Sequence, residues 1–246
     1  MRRILSLIFI FCVVFGARAE TYTVLVYHGA NPPYNFIANG RQSGIFKDLF
    51  GRLGELTGHT FKLVPWSVAK GQKLFDEGQI DIEPGVHPSW RAQRRIPGIY
   101  SDAYASSTEI ILGHENDTMV TEPVQLYGKV IGRVRGYRYG EFEHHFGKDK
   151  ILVYDNISEK ELLSQLRHRR VDYVMLGDTT ADYYKSTVNA YKTFKEVYKI
   201  STLPVYMRLQ PNLSTLQIQL NAALRTMRNN QEIRAIYARY GASLEP

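Results

Sequence analysis

Arg91 stands beside Trp90 in a stretch, residues 81–104, whose residue types could hold a small anion. The stretch reads Asp-Ile-Glu-Pro-Gly-Val-His-Pro-Ser-Trp-Arg, then a basic segment, then Ile-Pro-Gly-Ile-Tyr-Ser-Asp-Ala-Tyr. Ile80 and Ile82 read as an apolar strand end that breaks at Pro84-Gly85. A guanidinium just beyond a strand's carboxyl end offers a planar two-pronged fork to a carboxylate, in the crevice where open α/β sheets bind ligands. The competing reading is a solvated basic helix that Arg91 begins with Arg94 and Arg95, and the stretch alone leaves both open. Glu83, at the same strand end, suits either a ligand amine or a helix cap. Trp66 and Trp90 are stacking walls for a ligand or ordinary packing.

The remaining chemistry-bearing groups are sparser. Arg138, in the turn Gly136-Tyr137-Arg138-Tyr139-Gly140, could pair with an acidic ligand group or sit in solvent. His144-His145 with Glu141 and Glu143 resembles a metal-ligand cluster, but adjacent histidines point to different helix faces, so no metal site is assigned. The reading assigns no cofactor and no catalytic residue. Tyr183, Tyr184, Tyr191 and Tyr198 read as surface and packing residues.

The first nineteen residues read as a secretory signal: Arg2-Arg3, an apolar run from residue 4 to 15, and Ala17-Arg18-Ala19 as an A-x-A cleavage site. That run is too short to span a bilayer comfortably. Cleavage removes the only cysteine, Cys12, so a mature chain is held without disulfides. It also removes Arg2, Arg3 and Arg18, taking the net charge from +7 to +4. A mildly basic, dispersed charge without a Lys/Arg block argues against nucleic acid as a partner. No later apolar run reaches membrane length, and a soluble, exported monomer is expected.

The elements that must position these groups alternate. Residues 21–27, 61–65 and 79–82 read as strands, with helices opening at Ser43-Gly44-Ile45 and spanning 69–77 between them. Between the first strand and first helix, a Gly/Pro-rich turn presents Tyr34 and Phe36. A β-α-β-α-β order implies a parallel sheet with helices on its faces. After a strand at 109–112 the order repeats: strands at 129–134, 151–154 and 171–176, a helix carrying Phe142 and Phe146, a capping box Ser158-Glu159-Lys160-Glu161, and a helix through Tyr183. Amphipathic helices at 213–227 and 233–240 close the chain. Two such sets suggest two lobes with a cleft between them. The turn at Gly136 would then aim helix N-terminal N–H groups at the cleft, a site suited to an anion.

The order of short motifs resembles the bacterial extracellular solute-binding proteins of family 3, the periplasmic type-2 binding proteins of amino-acid ABC importers. Its anchors are Pro33-Tyr34-Asn35-Phe36, Gly44-Ile45-Phe46-Lys47-Asp48-Leu49, Gly78-Gln79-Ile80-Asp81 followed by Arg91, Tyr100-Ser101-Asp102-Ala103-Tyr104, Gly132-Arg133-Val134-Arg135-Gly136, Arg170-Val171-Asp172 and Ile233-Arg234-Ala235-Ile236-Tyr237-Ala238-Arg239-Tyr240. The resemblance implies an α/β, two-lobe periplasmic binding protein type 2 fold, each lobe a mixed or parallel sheet flanked by helices, joined by two crossing hinge strands. Lobe one would hold residues 20–112 with 206–246, and lobe two residues 113–205. Arg91 would clamp an α-carboxylate. The loop 84–89, which includes Gly85, is about two residues shorter than usual, and His87 and Pro88 stand where a small hydroxyl residue often helps. Tyr34 takes over an aromatic role that the family commonly gives to the position of Asn31. The acidic partner of an α-amine falls at Gly177, with Asp178 one place later, so a one-residue bulge would deliver Asp178.

The function expected is a periplasmic binding protein, not an enzyme, that captures a small polar carboxylate such as an amino acid for an ABC permease or a membrane sensor. Two other readings stay in view: a dehydratase of cyclohexadienyl substrates on the same scaffold, with Glu83 or Asp178 as its acid, and an orphan sensing module without a transporter.

Overall fold

In the computed structural model, residues 19–27, 31–38, 41–147 and 149–244 are described. The signal-like segment before residue 19 and the His28-Gly29-Ala30 part of the first turn lie outside them. The chain runs β1 (Thr21–Tyr27), β2 (Phe36–Ala38), β3 (Arg41–Ser43), α1 (Ile45–Thr57), β4 (Thr60–Trp66), α2 (Val68–Asp76), β5 (Ile82–Val86), β6 (Ile99–Tyr100) and β7 (Ala105–Gly113). It continues β8 (Val130–Val134), β9 (Leu152–Asn156), α3 (Glu159–Arg167), β10 (Tyr173–Gly177), α4 (Asp178–Thr187), β11 (Lys195–Leu209), α5 (Ser214–Asn229) and α6 (Glu232–Arg239).

Nine strands form one curled mixed sheet in the order β4-β1-β5-β11-β7-β10-β8-β9, with β6 also on β11. β1 lies parallel to both β4 and β5, and β8 parallel to both β9 and β10, as the alternation of strands and helices requires. The two sets meet through β11 and β7, which are antiparallel from Lys195↔Gly113 to Val205↔Ala105. β11 then continues past β7 to pair with β5, Leu209 opposite Ile82. It therefore runs, with β7 beside it, from one half into the other.

Each half packs helices on its sheet. In β1, Val24 and Val26 face a core made with Leu49 and Leu53 of α1, Leu220 and Leu224 of α5, and Ile236 of α6. Leu25 faces the other way, onto Leu74 and Phe75 of α2. Alternate residues of a strand serve opposite faces, so a strand covered on both sides reads as a continuous apolar run. In the second half Leu162, Leu163 and Leu166 of α3 cover Val174 and Leu176 of β10. Ser158 caps α3 by accepting the Glu161 backbone N–H at 3.3 Å.

Two sequence expectations are corrected. The third strand does not break at Pro84-Gly85. It runs from Ile82 to Val86, with Gly85 at φ 72° inside it and a register shift opposite, between Tyr206 and Arg208. Only a residue without Cβ takes that left-handed conformation freely. The segment after Gly136 is not an α-helix but a short 3₁₀ turn, Gly140–His145.

Candidate functional site

β5 ends against a buried ionic core. Glu83 and Arg208 are 0 % exposed, and Arg91 is 3 % exposed. Arg91 sits in the 3₁₀ turn Pro88–Arg91, which the His87 side chain caps by accepting the Ser89 N–H at 3.2 Å. Arg91 Nε donates to both Glu83 oxygens at 3.1 Å, and Nη2 donates to Glu83 Oε1 at 2.8 Å. Nη2 also donates to the Tyr27 hydroxyl at 3.1 Å, and Nη1 to the Trp90 carbonyl at 3.1 Å. From the other side Arg208 Nη1 donates to Glu83 Oε2 at 2.8 Å, its guanidinium 3.8 Å from the centre of the Phe75 ring. Arg208 also reaches Asp76, which in turn binds Arg94. Burial acts to raise the Glu83 pKa, but Arg91 and Arg208 outweigh it and hold the carboxyl down at about 2.

This geometry changes what Arg91 can offer. The fork that the sequence aims at a ligand is closed on Glu83. Of the five guanidinium N–H groups, one on Nη1 is without a partner among the described residues. Arg91 still lines the cavity, so it can present that single donor.

The cavity lies between the halves, with a volume of about 90 Å³. One wall carries Tyr34, Gly85, Trp90 and Arg91, and the other carries Tyr137, Arg138, Glu159 and Thr180. Ser107 and Glu109, on the shared strand β7, form its floor. The halves touch at its edge. Gln72 Nε2 donates to the Gly136 carbonyl at 3.3 Å, and the Tyr27 and Tyr137 rings lie 5.9 Å apart. Val68 of α2 belongs to the core of the second half, and the Phe36 and Tyr183 rings meet edge-on at 5.4 Å. The cleft is closed.

Two carboxyls, Glu109 and Glu159, line its interior. Burial lifts the Glu109 carboxyl to about 7, the neighbouring charges of Glu159 and Asp178 adding to the effect against a hydrogen bond from Ser107. Burial likewise raises the Glu159 carboxyl, which accepts the Tyr137 hydroxyl at 2.7 Å. The expected anion site at the Gly136 turn is not formed there. The 3₁₀ turn is short, and the Tyr139 N–H donates to Glu143 Oε1 at 3.1 Å.

The structure therefore brings six of the sequence candidates to one cavity: Arg91, Tyr34, Gly85, Trp90, Tyr137 and Arg138. Arg138 is bound by Glu143 at 3.1 Å. Glu83 lies behind Arg91, out of contact with solvent. Trp66 ends the edge strand β4 with 43 % of its surface exposed, away from the cavity wall. His87 packs its ring on Trp90 and Tyr206. Asp178 opens α4 and accepts the Thr179 N–H, while its neighbours Gly177 and Thr180 line the cavity. Sequence reasoning missed Tyr27, Asn31, Ser107, Glu109 and Glu159. Glu109 did carry a signal, an acid entering the apolar run Ile110-Ile111-Leu112. Glu159 carried none, because an acid in the first turn of a helix is ordinary. Among the described residues no three His, Cys, Asp or Glu side chains gather to hold a metal ion, and no helix is long and apolar enough to cross a membrane.

Comparison with known proteins follows the fold. The family model described as bacterial extracellular solute-binding proteins, family 3, matches residues 24–243. A histidine kinase sensor domain with similarity to periplasmic binding proteins superposes with TM-score 0.81 at 20% identity, over 93% of this chain and 99% of that one. An ABC uptake transporter substrate-binding protein from Streptococcus pneumoniae with bound histidine gives 0.78 at 17%, over 91% and 94%. An ancestral amino-acid-binding protein, a precursor of cyclohexadienyl dehydratase, gives 0.74 at 18%, over 89% and 95%. At these identities the likeness is one of fold. No curated protein matches the sequence.

Proposed function

Because the chain belongs to the bacterial extracellular solute-binding proteins, family 3, we propose that it captures a small polar organic solute, an amino acid or a related compound, in the cleft between its lobes. The observation that carries this reading is the cavity itself, enclosed by residues of both halves over the shared strand β7. Lobe one takes residues 20–112 with 206–246, lobe two residues 113–205, and β7 and β11 act as the hinge strands. Opening about them admits solute, and closure buries it. A ligand carboxylate meets the remaining Nη1–H of Arg91 and, at the rim, Arg138. The protein works in the periplasm as a monomer after loss of residues 1–19, and delivers its solute to an ABC permease or a membrane sensor.

A thermal-shift screen across amino acids, dicarboxylates, amines and short peptides tests this. A ligand in molar excess of a hundred times its Kd stabilises the folded form by about 2.7 kcal/mol. The expected result is a saturable rise in Tm with a fall in radius of gyration by X-ray scattering. A flat response across the whole screen sinks the reading.

One observation favours catalysis instead: Glu109, with its carboxyl near 7, is poised as a general acid inside the cleft. A dehydratase needs such a proton donor for its leaving hydroxyl. The proposed function is nevertheless binding, since among the described residues no second group pairs with Glu109 as a base. Incubating the pure protein with prephenate or arogenate separates the two, and turnover to an aromatic product would establish the enzyme.

A further inference from the structure

Two buried acceptor atoms in the cleft have no donor among the described residues. Glu109 Oε2 and Asn31 Oδ1 are both inaccessible to solvent and without a hydrogen-bond partner among the described residues. Both residues line the same cavity. A buried acceptor left unpaired costs free energy, and two in one cavity call for a donor that arrives with the ligand. The charges around Glu109 say which kind. Among the described residues its other oxygen accepts only the Ser107 hydroxyl, at 3.1 Å. Glu159 from α3 and Asp178 from α4 face it with like charge, and β10 presents Gly177, which has no side chain. The phenols of Tyr34, Tyr137 and Tyr139 also lie within reach of its field and are held neutral by burial. Of the two arginines of the cavity wall, Arg91 keeps a single Nη1–H beyond its hold on Glu83, and Arg138 is paired with Glu143, so neither faces Glu109 as a free cation. The cavity is thus acidic, aromatic and short of a cation.

We infer that Glu109 and Asn31 form a subsite for a positively charged nitrogen, so that the solute is an organic cation with several N–H donors, an ammonium or guanidinium compound. The inference rests on the solute-binding reading and narrows its ligand. Tyr27, Tyr34 and Tyr137 line the same cavity, and aromatic rings are the side chains that tolerate a cation beside them. The site lies on β7, a shared strand, so a cation held there bears directly on the element that joins the lobes. Binding favours ionised Glu109, and its proton leaves to solvent as the complex forms. Affinity therefore rises with pH through the region near 7 and levels off above it.

Putrescine, agmatine and glutarate test this, since they place two ammonium groups, an ammonium and a guanidinium, or two carboxylates at similar spacing. Calorimetric titration of wild type and Glu109→Gln, at pH 6 and 8 and in two buffers of different ionisation enthalpy, reads affinity and proton release together. The expected result is binding of at least one of the two cations, tighter at pH 8, with proton release at intermediate pH. Glu109→Gln should weaken that binding by roughly tenfold or more and abolish the proton release. Its unliganded Tm should equal or exceed that of wild type, because the variant removes a crowded carboxyl and keeps its shape. Binding of glutarate in preference to both cations, unchanged in Glu109→Gln, overturns the inference and leaves the solute-binding reading standing. Failure of both cations to bind also overturns it. Failure of every compound in the wider screen is what overturns the solute-binding reading.

Discussion

Replacing Glu83 by Gln leaves two buried guanidiniums facing an uncharged amide. Arg91 and Arg208 each hold one side of this carboxylate at 2.8 Å, and all three side chains are at most 3 % exposed. Removing one partner of a buried ion pair costs about 3–5 kcal/mol, since the charge left behind has lost both its water and its partner. The titration of Glu83 gives a second route to the magnitude. A carboxyl moved from 4.5 in the unfolded chain to about 2 in the folded one contributes about 3 kcal/mol at neutral pH, at 1.36 kcal/mol per unit. At about 2–4 °C per kcal/mol for a chain of this size, Tm should fall by roughly 6–20 °C. The sign of the pH dependence follows from the depressed pKa. The contribution is complete above about 4.5 and is lost as pH falls toward 2, so wild type and Glu83→Gln should converge on acidification. Scanning calorimetry of both proteins from pH 7 down to the lowest pH at which each stays folded checks this. A Glu83→Gln protein that melts within a degree of wild type at pH 7 would refute the reasoning. A second variant isolates the charge: adding Arg91→Met and Arg208→Met to Glu83→Leu should recover part of the loss, because an apolar trio leaves no charge unpaired.

Four further outcomes follow from particular contacts. Glu109→Gln should stabilise the unliganded protein increasingly from pH 4.5 to 7, by roughly 2–3 kcal/mol at most; a raised carboxyl pKa of about 7 makes wild type lose stability over that interval, and urea unfolding at several pH values reads it. Gly136→Val places a side chain where a Cβ already comes within 3.0 Å of Val68 Cγ1, so closure should be hindered. Ligand affinity should drop roughly tenfold, equivalent to 1.4 kcal/mol, with scattering showing a more open form and circular dichroism unchanged. Gly44→Ala should destabilise by more than about 1 kcal/mol, since at φ 113° its Cβ would lie 2.7 Å from the Tyr34 carbonyl; chemical denaturation measures it. Trp66→Ala should leave ligand affinity within about twofold by calorimetry, because Trp66 ends an edge strand off the cavity wall.

Much of the fold was legible because its causes are local. The alternation in Thr21–Tyr27, the glycine that ends α1 at Gly58 and the Ser158 cap each act within a few residues. The order of strands and helices then constrains the parallel pairing of β1 with β4 and β5. β11 was not legible. Its fifteen residues mix lysines, a serine, a threonine and Pro204 with apolar positions, and they become a strand because β7 and β5 offer edges to pair with. The same division runs through the site. The sequence by itself determined that an arginine and a tryptophan stand just beyond β5 and that aromatic and glycine turns surround them. Only the tertiary structure decided what the arginine holds, because Glu83 lies eight residues before it and Arg208, its rival for the same carboxylate, lies 125 residues beyond Glu83. A guanidinium's partner is set by which acid the fold buries beside it. A ligand site is set by the reverse condition, acids buried with no such partner, and Glu109 meets that condition only once β7, α3 and α4 have come together.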